Sequence, residues 1–385
     1  MKTFELLLVL LSSKCFGESL NGDIIGQIDG DKLLEIYNIS KAHDVSHIVG
    51  SALSKNNMLG DDDISKKFKK QMFLAYYRYE RINYAFDQIC ELFENEKIIF
   101  VPLKGSIIRD MYPEPWMRMS CDIDILVHEA DIDKATKILT DKAGFSVDGE
   151  KNYHDISLFS SDNVHLELHF SIKEAQDNID LLLSKVWDYC IPTEENKYRY
   201  KFTNEYFIFH QIAHMSYHFL NGGCGIKPFM DLRILNEKFE YDAEKVRQLC
   251  KECNIDTFYD NVTHLTNVWF GNEEHTELTL KMQSFLISGG VYGTVENRIS
   301  VESKRKGGKL SYAVKRVFMP YTDMKKRYPI LEKYWIMLPI CHVMRWCKLL
   351  SKGKFERSVK ELGMIKNADL SKSDATDIML KELGL

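Results

Sequence analysis

Acidic side chains alternate with apolar ones in two short segments of the chain. Asp122 and Asp124 alternate with isoleucines in segment 122–127, and Glu167 lies between two leucines in segment 165–169. Residues two apart on a β-strand share a face, so the aspartates are expected to point one way and the isoleucines into a core. Oxygen ligands of this kind suit Mg²⁺, which commonly takes one or two carboxylates together with substrate phosphates. The spacing therefore predicts a two-metal site for phosphoryl transfer.

A second metal chemistry competes for the same residues. His165, Glu167 and His169 also fall on one face of the expected strand. Two histidines and a carboxylate could bind zinc. We favour Mg²⁺, since the paired aspartates Asp122 and Asp124 are hard oxygen donors.

These motifs resemble the DNA-polymerase-β-like nucleotidyltransferase superfamily, whose signature is a Gly-Ser or Gly-Gly turn, an Asp-x-Asp/Glu strand and a third acidic strand. They are more similar still to the branch called the uncharacterised nucleotidyltransferase family. The segments that carry this resemblance are 103–105, 109–115, 118–127 and 167–169, with the later segments 214–231 and 318–331 also similar. The gap between Ser106 and Asp122 is longer than in the general superfamily but is similar to that of the branch.

The resemblance implies roles for individual residues. Asp122, Asp124 and Glu167 would be catalytic and would bind two Mg²⁺ ions, with Mn²⁺ as the alternative ion, and Glu167 would act as general base or ligand. The expected nucleotide-binding residues are Lys104, Gly105, Ser106 and Arg118. From the residues alone, Lys104 could equally be a solvated turn lysine.

A later helical pattern supplies candidates for the nucleotide or acceptor side of a cleft. By resemblance these candidates are His169, His214, His218, Lys227 and Asp231. His210, His214 and His218 lie four apart and share one helical face. A stripe of histidines is more often a packing or hydrogen-bonding feature, and Gln211 stands where a zinc protease would have its glutamate.

The reaction implied by the resemblance is transfer of a nucleoside monophosphate, with AMP from ATP expected, to an unidentified acceptor with release of pyrophosphate. One alternative is a catalytically inactive regulatory or binding relative. Another is a nucleic-acid-binding protein, because segment 304–360 contains 16 Lys or Arg against 3 Asp or Glu in a chain of net charge −5. A solvated basic helical face would have the same composition.

The pattern along the chain predicts an α+β fold. Residues 1–96 are expected to be helical, and their clearest helix has an apolar stripe from Phe68 to Phe93 at 4-3-4-3 spacing. Residues 97–175 are expected to form a small mixed-sheet nucleotidyltransferase core of short strands and helices. Residues 176–385 are expected to be helical and to include the basic segment.

Composition indicates an ordinary globular protein: 45% of the 385 residues are hydrophobic and 28% are charged. Nine cysteines are scattered without a paired framework, which favours free thiols in a reducing compartment. The apolar stretch from Met1 to Leu11 is interrupted by Glu5 and has helical spacing, and no apolar run reaches the length of a membrane span. We therefore expect a cytoplasmic protein without a membrane span.

Overall fold

The computed structural model describes residues 1–149, 151–174, 176–193, 197–291, 297, 301, 314, 317–328, 330–349 and 370–385. Much of the basic segment 304–360 lies outside the described residues, and so its proposed nucleic-acid contact stays a prediction. The chain forms two compact units. The first contains Met1–Tyr217 and Ile226–Thr279, and the second contains His218–Gly225 and Leu280–Leu385.

Five helices precede the sheet in the first unit. They are α1 (Thr3–Cys15), α2 (Gly22–Ile25), α3 (Gly30–Ala42), α4 (Ser46–Lys55) and α5 (Asp63–Asn95). The apolar side chains of α1 are largely buried. The long helix α5 begins where the side chain of Asp62 accepts hydrogen bonds from the backbone N–H groups of Ile64 and Ser65.

A five-stranded mixed sheet follows, in the order β1-β2-β5-β4-β3. Its strands are β1 (Phe100–Pro102), β2 (Asp122–Val127), β3 (Ser146–Val147), β4 (Asp155–Phe159) and β5 (His165–His169). The central strands β2 and β5 pair in parallel, whereas the other neighbouring strands pair in antiparallel fashion. This sheet, surrounded by helices, confirms the predicted α+β class, and the acidic segments 122–127 and 165–169 form the strands β2 and β5 as expected.

The helix α5 and helix α7 (Ile132–Lys142) contribute to one apolar core with the inner face of the sheet. From α5 this core takes Ile82, Phe86, Ile89 and Phe93, which belong to the predicted apolar stripe. Burial of this apolar face of α5 removes it from water, which stabilises the packing of the amphipathic helix on the sheet. The sheet contributes every second residue of β2 and β5 to this core. The residues between them point to the opposite face of the sheet.

Further helices lie between the strands of the sheet or follow it in the chain. They are α6 (Lys104–Ile108) between β1 and β2, and then α8 (Asp177–Leu183), α9 (Asn204–Leu220), α10 (Lys227–Lys238), α11 (Ala243–Glu252) and α12 (Asp256–Phe270). A small hairpin of β6 (Cys190–Pro192) and β7 (Tyr200–Phe202), which the sequence pattern did not indicate, lies before α9.

The second unit is helical where it is described. Helix α13 (Glu277–Gly289) enters it, and further helices span Tyr321–Arg327, Ile330–Lys333, Leu338–Leu349 and Leu370–Glu382. Met324, Leu331 and Cys341 form a small buried cluster there. The division into segments 1–96, 97–175 and 176–385 stays a prediction about independently folding parts.

None of the described helices combines the length and apolarity needed to cross a membrane. All nine cysteines carry free thiols. Burial raises the pKa of Cys15 and of Cys90 to about 12, which keeps both thiols protonated and unreactive near neutral pH.

We predict that Phe93→Ala lowers the free energy of unfolding by about 3–5 kcal/mol, because it leaves a cavity beside Phe100 in a fully buried site. The two rings pack edge to face with their centroids 5.5 Å apart. Phe73→Ala is the matched control: it removes the same side chain from the same helix at a position that is 68% exposed. Urea unfolding of both variants measures the difference, and equal destabilisation would contradict this packing.

Candidate active site

The three carboxylates lie on the face of the sheet opposite the apolar core. In the parallel pair, Asp122 lies opposite His165 and Asp124 opposite Glu167. The isoleucines that alternate with the aspartates are fully buried in the core, while all three carboxylates stay partly exposed. The sheet register thus brings together residues that are more than forty positions apart in the chain.

Two overlapping groups of potential metal ligands result. One consists of Asp122, His165 and Glu167, and the other of Asp124, Glu167 and His169; within each group the ligand atoms lie within 4.8 Å of one another. The carboxylate oxygens suit Mg²⁺ or Mn²⁺, while a histidine nitrogen in each group also suits zinc. The donor set fits a divalent cation, and the competition between magnesium and zinc stays open.

Repulsion between the carboxylates shapes their titration. Burial and the neighbouring charges of Asp124 and Glu167 raise the pKa of Asp122 to about 6. Burial also acts to raise the pKa of Asp124, but the hydrogen bond with His169 and the charges of His169 and Lys104 outweigh it and hold that pKa below its usual range. The cluster therefore carries negative charge that a bound cation would neutralise.

His169 supplies part of the positive charge that the carboxylates attract. Its Nε2 lies 3.1 Å from Asp124 Oδ1 and 3.5 Å from Glu167 Oε2. Burial lowers the pKa of His169, but the hydrogen bonds and charges of the two carboxylates raise it to about 9. His169 is therefore protonated at neutral pH when no metal ion competes for the same oxygens.

Lys104 lies at the start of α6, close enough to the aspartates to interact with their charges, and is held by a partly buried hydrogen-bonded chain. Its Nζ lies 2.5 Å from His214 Nε2, and His214 Nδ1 lies 2.6 Å from Glu174 Oε1. Burial and the positive charge of Lys104 hold the pKa of His214 well below its ordinary value, so the ring is neutral. The neutral ring donates its Nδ1–H to Glu174 and accepts from the Lys104 ammonium through Nε2. Lys104 is thus a fixed cation rather than a solvated turn lysine.

The Gly-Ser sequence is packed into the first turns of α6. Gly105 and Ser106 are both buried, and an added Cβ at Gly105 would meet Ser120 Cβ at 3.4 Å. The buried Arg109 donates to the Gly105 carbonyl from Nε at 3.1 Å and to the Ser106 hydroxyl from Nη2 at 3.3 Å. Arg109 therefore fixes the backbone that presents Lys104, and the phosphate contacts predicted for Gly105 and Ser106 stay a prediction.

Arg118 forms a buried ion pair. Its Nε donates to Asp231 Oδ1 at 2.7 Å, and the Tyr112 hydroxyl donates to the same oxygen at 2.8 Å. The charge and hydrogen bonds of Asp231 outweigh burial and raise the pKa of Arg118 above its usual range, with a smaller contribution from Asp122. Arg118 joins α10 to the loop before β2, and a direct contact between Arg118 and phosphate stays a prediction.

The other candidates from the helical pattern are distributed over the fold. Lys227 Nζ forms an ion pair with Asp44 Oδ2 at 2.6 Å, between α10 and the loop before α4. His218, near the end of α9, is assigned to the second unit, whereas the carboxylate cluster is assigned to the first. Burial lowers the pKa of His210 to about 3, which fits the packing interpretation of that histidine.

Three residues that organise the site carried no signal of a role in the sequence pattern. Glu174 lies in a loop after β5, and no periodicity marks it. Arg109 and Tyr112 belong to the segment 109–115 that supports the family resemblance, but the sequence did not reveal that their partners would be Ser106 and Asp231. Such partners depend on tertiary contacts that a linear pattern does not contain.

We predict that the His169 imidazole titrates near pH 9 in metal-free protein, since Asp124 and Glu167 favour its charged form. Because the folded pKa lies above the unfolded value, protonated His169 stabilises the fold fully below about pH 6.5. This contribution is lost as the pH rises through about 9. NMR titration in EDTA, with His169→Gln to assign the signal, measures the midpoint. A midpoint at or below the ordinary histidine value would contradict the ion pair.

Comparison with known protein families identifies the family of this chain. A family model described as uncharacterised nucleotidyltransferase matches residues 29–271. No curated protein matches the chain. The match includes α5, the complete sheet, the three carboxylates and the Arg118–Asp231 pair, but it ends before segment 318–331, whose resemblance stays a prediction. Since more than half of the 385 residues are matched, the chain belongs to the uncharacterised nucleotidyltransferase family.

Proposed function

We propose that the protein transfers a nucleoside monophosphate, AMP from ATP, to a hydroxyl or phosphate acceptor and releases pyrophosphate. The observation that carries this proposal is the convergence of Asp122, Asp124 and Glu167 beside the partly buried Lys104. Phosphoryl transfer needs little covalent chemistry from a protein, and positioning with charge neutralisation supplies nearly all the catalysis. A cluster of carboxylates next to a fixed lysine provides both.

The carboxylates would act first as ligands. Asp122 and Asp124 would hold two divalent ions, and Glu167 would complete the site as a ligand or as the general base. When bound, Mg²⁺ would neutralise the triphosphate and lower the pKa of the acceptor hydroxyl. Burial and the charges of Asp124 and Glu167 raise the pKa of Asp122, and a cation placed there would offset both effects, which supports this role.

Lys104 would bind the triphosphate tail. Its ammonium is oriented by His214 and Glu174, and it lies close enough to both aspartates that its charge opposes the rise in the pKa of Asp122 and helps to hold the pKa of Asp124 low. In the transfer step the acceptor oxygen forms a bond to the α-phosphorus, and the bond from that phosphorus to the bridging oxygen breaks. Pyrophosphate leaves with the electron pair, its developing charge is stabilised by Lys104, and the acceptor proton passes to Glu167 or to water.

A cytoplasmic location is part of the proposal. Its support is the set of free cysteines, all nine of which lie within the described residues.

We predict that Asp122→Asn and Asp124→Asn each reduce transfer about a thousandfold or more, because each removes a negative ligand without changing side-chain size. The assay is incubation with labelled NTPs and Mg²⁺ against a metabolite extract, with the label followed by chromatography. Asp133→Asn on the exposed face of α7 is the matched control and should keep full activity. Unchanged labelling by the Asp122→Asn/Asp124→Asn double variant would refute the mechanism, and no labelling by the unmodified protein would favour the inactive alternative.

The hydrogen-bonded chain behind Lys104 gives a separate prediction. Glu174→Ala removes the acceptor that orients His214, and we expect about tenfold weaker binding of MgATP, the scale seen when supporting partners of a site are lost. AMP should bind unchanged, because it lacks the phosphates that Lys104 would contact. Glu174→Gln keeps an acceptor oxygen and should restore most of the affinity. Equal losses for ATP and AMP, measured by isothermal titration calorimetry, would contradict this role for Lys104.

A further inference from the structure

The exposed face of α5 carries a continuous stripe of aromatic and cationic side chains. The stripe is formed by residues at helical spacing on the side away from the core: Lys66, Lys70, Phe73, Tyr77, Arg81 and Tyr84. Phe73 is 68%, Tyr77 53% and Tyr84 69% exposed. A row of exposed aromatic rings is unusual on a protein surface that has no binding partner. We call this set the α5 stripe.

Three neighbouring side chains of the α5 stripe, those of Phe73, Tyr77 and Arg81, pack against one another. The rings of Phe73 and Tyr77 are nearly parallel, with an interplanar angle of 10° and centroids 6.4 Å apart. The guanidinium of Arg81 lies over the Tyr77 ring at 5.5 Å. Flat groups thus follow one another along the helix, and the Phe73 and Tyr77 side chains stay more than half exposed.

The charge of this part of α5 is opposite to that of the chain. Between positions 64 and 84 there are six Lys or Arg residues and one acidic residue, Glu80, a net charge of +5 in a chain of net charge −5. Asp61, Asp62 and Asp63 lie at the N-terminal end of the helix. An anionic chain molecule would therefore be attracted to the stripe from Lys66 onward and repelled beyond its N-terminal end.

A cavity of about 500 Å³ extends the stripe. Arg81 and Tyr84 contribute to its wall, together with Gln88, Asn95 and Ser160. These side chains offer amide and hydroxyl groups that could bind the edge of a planar base next to an aromatic ring. The negative charges of Glu91 and Asp162 in the wall are opposed by Arg81 and Lys142 in the same wall.

The cavity and a neighbouring part of α5 lie near the end of the sheet at which β2 and β5 begin. Arg78 on α5 donates from Nη1 to Cys121 Sγ at 3.9 Å, and Cys121 directly precedes Asp122. Val164 lines the cavity and directly precedes His165, which lies opposite Asp122 in the sheet. A molecule that lies along α5 therefore reaches the end of the sheet where the carboxylates begin.

We propose that the α5 stripe and its cavity bind single-stranded nucleic acid and deliver a terminal hydroxyl to the carboxylates as the acceptor. A row of cations and exposed aromatic rings suits such strands, because phosphates pair with cations while unpaired bases stack on rings. The stripe spans about 27 Å of helix, enough for several nucleotides. The assignment of the acceptor rests on the proposed function, whereas the binding itself does not.

The test is fluorescence anisotropy with the full chain and a labelled RNA or DNA strand of about 12 nucleotides, without NTP, at about 50 and about 200 mM salt. Phe73→Ala/Tyr77→Ala should weaken binding about tenfold or more by removing two stacking rings. Lys66→Ser/Lys70→Ser should weaken binding and lower the salt slope by about 2. Lys245→Ser/Lys251→Ser on the exposed face of α11 removes the same charge elsewhere and should change neither quantity.

Several results would overturn the proposal. The first is absence of binding, and the second is an equal loss of affinity in the α11 control. The third is binding that survives both sets of stripe substitutions, because such binding would belong to another part of the chain, such as segment 304–360. Self-association that the aromatic substitutions abolish, measured by light scattering without a strand present, would instead assign the stripe to a second copy of this chain. A comparison of the affinities for the RNA strand and for the DNA strand identifies which of the two is preferred.

The acceptor role has its own readout, label transfer from NTP to the end of the bound strand. Asp122→Asn/Asp124→Asn should bind the strand normally and transfer nothing. Binding by the unmodified protein without transfer to the strand, while a metabolite extract is labelled, overturns the acceptor role and leaves the proposed function intact. Labelling of neither strand nor extract, with binding preserved, removes the proposed function and keeps the nucleic-acid surface.

Discussion

The parallel pairing of β2 with β5 is the constraint on which the candidate site depends. Its register places Asp124 opposite Glu167 and Asp122 beside both, so that like charges meet on one face of the sheet. Such a face is unfavourable unless positive charge is supplied, and the raised pKa of Asp122 records that cost. The apolar core on the other face holds the strands in register, since a slip by one residue would put the carboxylates into the core.

The polar groups around the carboxylates form two buried networks that hold cations in defined places. Glu174 and His214 orient Lys104 toward the aspartates, and Asp231 with Tyr112 fixes Arg118. Buried ion pairs of this kind add little to stability, but removing one partner is strongly destabilising because it leaves a buried charge unpaired. Their contribution is therefore better understood as positioning, which is what a phosphoryl-transfer site requires.

The alternation of acidic and apolar residues was enough to predict β2, β5 and the shared face of the carboxylates, because a strand has a period of two that the sequence displays directly. The apolar stripe of α5 was predictable for the same reason, with the helical period. The pairing of Lys104 with His214 and of Arg118 with Asp231 was not predictable, since these side chains meet only through the packing of helices and loops. The exposed α5 stripe was also overlooked, because residues such as Phe73 and Tyr77 resemble core residues until the buried face of the helix is known. The hairpin of β6 and β7 is too short to show a period.

The central claim is that a divalent ion and a triphosphate bind at this acidic face. Its most direct test is a crystal structure with Mn²⁺ and a non-hydrolysable ATP analogue, with data collected at the manganese absorption edge. We expect an anomalous peak among the oxygens of Asp122, Asp124 and Glu167, with the triphosphate beside Lys104. A peak elsewhere in the chain, or nucleotide bound away from β2 and β5 with no metal at the carboxylates, would contradict the account.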